Sequence, residues 1–100
     1  MNKAQDELQK ALKYLDFGRL EKGEQCLTQA IEAADSAGDS TTYLRAAVCY
    51  GDLLWQTEKY EAAQSWLQLA LDRYVSLHLD TDVLDMEVSR AQNLLEQMAE

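Results

Sequence analysis

Apolar residues recur along this chain at intervals of three and four, in five successive runs separated by a glycine, a short polar turn or a capping cluster. The first run, Ala4, Leu8, Ala11, Leu12 and Leu15, predicts a helix over residues 2–16. Asn2 with Gln5 forms a capping box at its start, and Phe17-Gly18-Arg19 breaks it, because glycine supplies the positive φ that a helix C-terminus favours. Leu20, Gly23, Leu27, Ala30, Ile31 and Ala34 predict a second helix over 20–37, stopped by Gly38, with Asp39 or Ser40 to cap the next. A third helix over 41–56 and a fourth over 60–77 are separated only by Thr57-Glu58-Lys59, which leaves room for nothing but an antiparallel hairpin. After His78-Leu79, the residues Asp80 to Asp82 offer a capping cluster. A fifth helix over 81–99 then shows Leu84, Val88, Ala91, Leu94, Leu95 and Met98 as its stripe.

Shifted by forty residues, the pattern matches itself. Ala11 falls on Gly51, Leu15 on Trp55, Leu20 on Tyr60, Gly23 on Ala63, Leu27 on Leu67, Ala30 on Ala70 and Ile31 on Leu71. A second shift brings the fifth helix into the same frame, so that Leu8, Val48 and Val88 align, as do Ala11, Gly51 and Ala91. Small residues recur where two helices must approach closely and large ones where a gap must be filled. A period of this length predicts an all-α fold: an antiparallel helix-hairpin solenoid, repeat 1 over 2–37, repeat 2 over 41–77 and a C-terminal capping helix over 81–99, in a single domain.

Composition agrees. The chain has 100 residues, no proline and only four glycines, so little interrupts helices. Hydrophobic residues make up 47% and charged residues 27%, which is a globular rather than a disordered balance. The net charge of −9 is uneven: residues 51–100 carry ten acidic and three basic side chains. Such a surface repels phosphate backbones and anionic membranes, so no nucleic-acid or membrane partner is expected; the charge serves solubility or, on a sharper reading, preference for a basic partner. Cys26 and Cys49 lack metal-ligand spacing and read as small buried thiols of a cytoplasmic protein. No secretory signal or membrane-length apolar run is visible.

The segment Tyr50-Gly51-Asp52-Leu53-Leu54-Trp55-Gln56, then Lys59-Tyr60-Glu61-Ala62-Ala63, then Leu67-Gln68-Leu69-Ala70-Leu71 resembles a tetratricopeptide repeat. That family places a small residue midway along its first helix (Gly51), an aromatic after the turn (Tyr60) and two small residues on its second helix (Ala63, Ala70). The first repeat matches with Ala11, Leu20, Gly23 and Ala30, and the fifth helix with Ala91. The forty-residue spacing is similar to the longer repeats of kinesin light chains and Rap-type regulators. The proline that commonly ends a repeat is absent here, and Ala47 stands where a large aromatic is usual. With two complete repeats, the chain is short for a free-standing solenoid and is a candidate for dimerising or leaning on a partner.

The chemistry of catalysis is sparse. His78 lies far along the chain from Cys26 and Cys49, so no nucleophile–base pair is in view, and Asp80, Asp82, Asp85 and Glu87 lack the spacing of a calcium loop. No cofactor, metal or catalytic residue is expected. The resemblance implies instead that the first helix of each pair lines a concave groove, formed here by Leu8, Leu12, Val48, Asp52, Trp55, Val88, Gln92 and Leu95. The lysine, arginine and asparagine clamp of heat-shock co-chaperones has no counterpart, since Leu8, Leu12, Cys49, Asp85 and Ser89 stand in those positions. The expected occupant is a helical or extended apolar segment with basic flanks. The rival expectation is a homodimeric assembly or secretion-chaperone-like subunit that uses its outer helices; Trp66 either packs against the fifth helix or sits on the convex face as the dimer anchor.

Overall fold

The computed structural model describes residues 2–76 and 81–99, with side chains over 2–76 and 84–99. Five helices and no strand occur among the described residues: α1 (Lys3–Asp16), α2 (Leu20–Ala37), α3 (Ser40–Gln56), α4 (Tyr60–Ser76) and α5 (Thr81–Ala99). Residue 77 at the end of the expected fourth helix, with His78, Leu79 and Asp80, lies outside these residues, and the Asp82 side chain does too.

Helix starts are set by local chemistry. Asn2 Oδ1 accepts from the Ala4 and Gln5 backbone N–H groups at 2.9 and 3.4 Å, while Asp39 accepts from Thr42 N–H at 3.1 Å. The two hairpin turns repeat hydrogen bond for hydrogen bond. Phe17 N–H donates to Lys13, Gly18 to Leu15 and Arg19 to Tyr14; forty residues on, Thr57 donates to Leu53, Glu58 to Trp55 and Lys59 to Leu54. Each turn needs one left-handed residue, Gly18 at φ 76° in the first and Glu58 at φ 66° in the second.

α1 packs on α2 and α3 on α4 as antiparallel pairs, and α3 also packs on α2 and α5. It is the most enclosed helix, with Tyr43, Leu44, Ala46, Ala47, Val48, Leu53 and Leu54 all buried. Small side chains let the pairs close up. A Cβ built on Gly23 would lie 3.5 Å from the Ala11 carbonyl oxygen, and one on Gly51 would lie 3.6 Å from that of Ala63. Ala11, Ala30, Ala63, Ala70 and Ala91 are themselves wholly buried.

Helices one repeat apart run in the same direction. Asn2 Nδ2, at the start of α1, donates to Asp39 Oδ2 at the start of α3 at 2.7 Å. Arg45 meets Glu87 at 3.3 Å and Asp52 meets Arg90 at 2.9 Å, so α3 and α5 are stitched at two successive points in parallel order. Asp35 of α2 reaches Arg73 of α4 at 3.1 Å, and the Arg73 guanidinium also stacks 3.8 Å over the Tyr43 ring. The outer face of α5 presents Ser89, Gln92, Asn93 and Glu96 to solvent.

A candidate groove on α1, α3 and α5

The parallel arrangement of α1, α3 and α5 leaves a groove of about 310 Å³ lined by Leu8 and Leu12, by Arg45, Val48 and Cys49, and by Met86, Glu87 and Arg90. Its floor is apolar. Val48 is buried and Leu8 half-buried, while Leu12 is 44% and Met86 82% exposed at the sides. Exposed apolar side chains flanking a concavity are a common mark of an interaction surface.

The charges in the groove are neutralised across it. Arg45 pairs with Glu87, and Arg90 holds Asp52 through both Nε (3.4 Å) and Nη2 (2.9 Å). Burial, with the Asp52 carboxylate second, pushes the Cys49 thiol up to about 11. Burial first, then the neighbouring Glu7 carboxylate, raises that of Cys26. Both cysteines are free thiols, and these shifts keep them protonated at neutral pH, the opposite of an activated nucleophile. Among the described residues no group of three His, Cys, Asp or Glu side chains is placed to hold a metal ion, and no helix is long and apolar enough to cross a membrane.

Of the residues expected in the groove, Leu8, Leu12 and Val48 line it together. Asp52 sits at its edge as the partner of Arg90. Val88 and Leu95 do not face it: both are half-buried against the core, while Gln92 is exposed on α5. α5 buries Leu84, Ala91 and Leu94, which leaves Met86, Glu87 and Arg90 to form the groove wall. Those three, with Arg45 and Cys49, escape a search for apolar stripes. Opposite charges about one repeat apart, Arg45 with Glu87 and Asp52 with Arg90, are the signal that finds them.

Trp55 lines a second concavity of about 410 Å³ with Tyr60, Gln97 and Met98. Trp66 is half-buried, its ring edge-on to Tyr50 at 5.4 Å between centroids, so most of it faces the chain's own core. Tyr50 in turn donates its hydroxyl to Glu24 at 3.2 Å and ties α3 to α2.

No protein-family model, curated protein or solved structure matches this chain.

Proposed function

We propose that this chain is a non-catalytic, tetratricopeptide-like scaffold of stacked helix hairpins that holds an apolar segment of another protein in the groove between α1, α3 and α5. The observation that carries this reading is the groove itself, where Leu12 and Met86 stand exposed beside a floor of Leu8, Val48 and Cys49. A helical or extended segment suits it, because apolar side chains at regular spacing can enter from one side while the backbone stays wet. Basic flanks on that segment suit the net charge of −9 that the chain carries as a whole. The reading is for a protein of the cytoplasm, where thiols such as Cys26 and Cys49 stay reduced.

Leu12→Glu and Met86→Glu put charge at exposed positions and leave the core intact. Each is expected to abolish capture of the partners that the wild-type chain retains, with helicity by circular dichroism unchanged. Leu69→Glu, on an exposed position of α4 outside the groove, is expected to retain them. Equal recovery of the same proteins by all three variants defeats the groove as the binding surface. A second reading, a homodimer through the outer helices, draws on Leu69 and Val75, both exposed on α4. Light scattering separates the two: a dimer mass that Val75→Glu reduces to monomer favours the second.

A further inference from the structure

Forty residues apart, the two hairpin turns share a backbone but not a chemistry. Leu15 and Leu20 flank the first, with Leu20 exposed; Trp55 and Tyr60 flank the second and line one concavity with Gln97 and Met98. Tyr60 is 49% exposed, while Trp55 and Met98 are half-buried against the core and reach the surface beside it. The charge around them is negative. Glu58, Glu61 and Glu96 are exposed close by in sequence against the single cation Lys59, and the C-terminal ends of α3 and α5 at this edge, with their partial negative charge, outnumber the N-terminal end of α4, which opens at Tyr60. Of the three basic residues in 51–100, Arg73 and Arg90 are engaged by Asp35 and Asp52, which leaves Lys59.

We propose that the Trp55–Tyr60 concavity is a cation site that takes a lysine or arginine side chain of the partner segment. An ammonium or guanidinium near an aromatic face is attracted by the ring quadrupole, and the attraction is strongest for tryptophan. Among the described residues the cation–aromatic contacts are Lys22 with Tyr14 and Arg73 with Tyr43, and neither Trp55 nor Tyr60 is engaged in this way. The site deepens the groove reading and rests on it for the identity of the ligand's bearer. Trp55 lies seven residues beyond Val48 on the same face of α3, and Gln97 seven beyond Arg90 on α5. Two helical turns place the cation site roughly 10 Å along from the apolar floor. A bound segment therefore carries its basic residue about three positions from its apolar anchor if extended, and about seven if helical.

The test uses the full chain and two small probes, N-acetyl-lysine methylamide and N-acetyl-norleucine methylamide, which differ only by the ammonium group. The two indole N–H resonances are followed by NMR and assigned with Trp55→Leu, which installs the residue of the first hairpin. The lysine probe is expected to move the Trp55 resonance and leave that of Trp66 in place, binding about threefold or more tighter than the norleucine probe. Tyr60→Leu is expected to weaken the lysine probe by a similar factor. Equal shifts from both probes, or none from either, overturn the cation site. Met86→Glu lies in the groove and not in this concavity, so it is expected to leave the titration in place. Failure of groove binding with a surviving lysine shift would sink the groove reading alone.

Discussion

The two hairpins solve the same packing problem with the glycine on opposite helices. In the first, Gly23 of α2 accepts the approach of α1, and Leu15 of α1 lies over it; in the second, Gly51 of α3 accepts α4, and Leu67 of α4 lies over it. A Cβ at Gly23 would come within 2.5 Å of Leu15 Cδ2, and one at Gly51 within 2.6 Å of Leu67 Cδ2. What recurs is the close approach, not the residue at a given helix position. The covering leucines differ in freedom: Leu67 is wholly buried in the shared core, whereas Leu15 is only half-buried near the C-terminal end of α1.

That difference has its largest consequence at Leu67. Leu67→Ala empties a site enclosed on all sides and is expected to cost about 3 kcal/mol, within the range for buried leucine. In that background Gly51→Ala fills part of the space and gains helix propensity, so it is expected to turn stabilising. A double-mutant cycle by urea unfolding reads the coupling directly. Strict additivity would mean that Leu67 does not sit over Gly51.

Alone, Gly51→Ala is expected to destabilise by about 1–2 kcal/mol, because the pinned Leu67 cannot yield and overpacking outweighs the better helix propensity of alanine. Gly23→Ala is expected to fall within about 0.5 kcal/mol of neutral, since Leu15 can swing toward solvent and the propensity gain offsets the strain. If the two glycines respond alike, burial of the covering leucine is not what distinguishes them.

The turns differ in the same instructive way. Gly18 adopts the left-handed conformation without a Cβ clash, while Glu58 adopts it against the intrinsic preference of its side chain. Glu58→Gly is expected to stabilise by up to about 1 kcal/mol, and Gly18→Ala to destabilise by about as much. Thermal unfolding of both variants checks the pair, and a destabilising Glu58→Gly would show that the glutamate side chain contributes more than its backbone strain removes.

These contrasts also show what can be read from one sequence. Helices and their pairing were legible because apolar spacing at 3.6 residues is a local signal, and the small residues Ala11, Gly23, Gly51 and Ala63 mark where helices must touch. The third helix begins one residue before its expected start, at Ser40, within the ordinary slack of helix ends. Glu58 was invisible as a left-handed residue by composition; only its place forty positions from Gly18 reveals it. The rotation of α5 was not legible either. Val88 and Leu95 look alike as core and as groove residues in a stripe, and which they become depends on how Leu84, Ala91 and Leu94 seat against their neighbours. The groove charges were hidden for a different reason, since Arg45 and Glu87 meet only once the helices stand side by side.

The smallest effect expected concerns the starts of α1 and α3, where Asn2 and Asp39 cap equivalent helices and hydrogen-bond to each other. Asn2 does not titrate and Asp39 does. Burial alone would push the Asp39 carboxyl up, but hydrogen bonds from the Thr42 hydroxyl and backbone N–H and from Asn2, with the Arg45 charge, outweigh it and hold the group below its usual range. A depressed carboxyl in the folded state means that the unfolded chain binds the proton more readily. Its contribution is therefore complete above the unfolded value of about 3.9 and fades as pH falls from there through the folded value. Asp39→Asn keeps a good capping residue and removes the titration, so it is expected to change stability at pH 7 by less than about 1 kcal/mol and to flatten the acid limb below pH 4. Asn2→Ala, which deletes the 2.7 Å donor, is expected to move the Asp39 carboxyl back toward its ordinary range in a carbon-detected NMR titration. An Asp39 that titrates at or above that range in the wild-type chain would show that burial, not the cap, governs the start of α3.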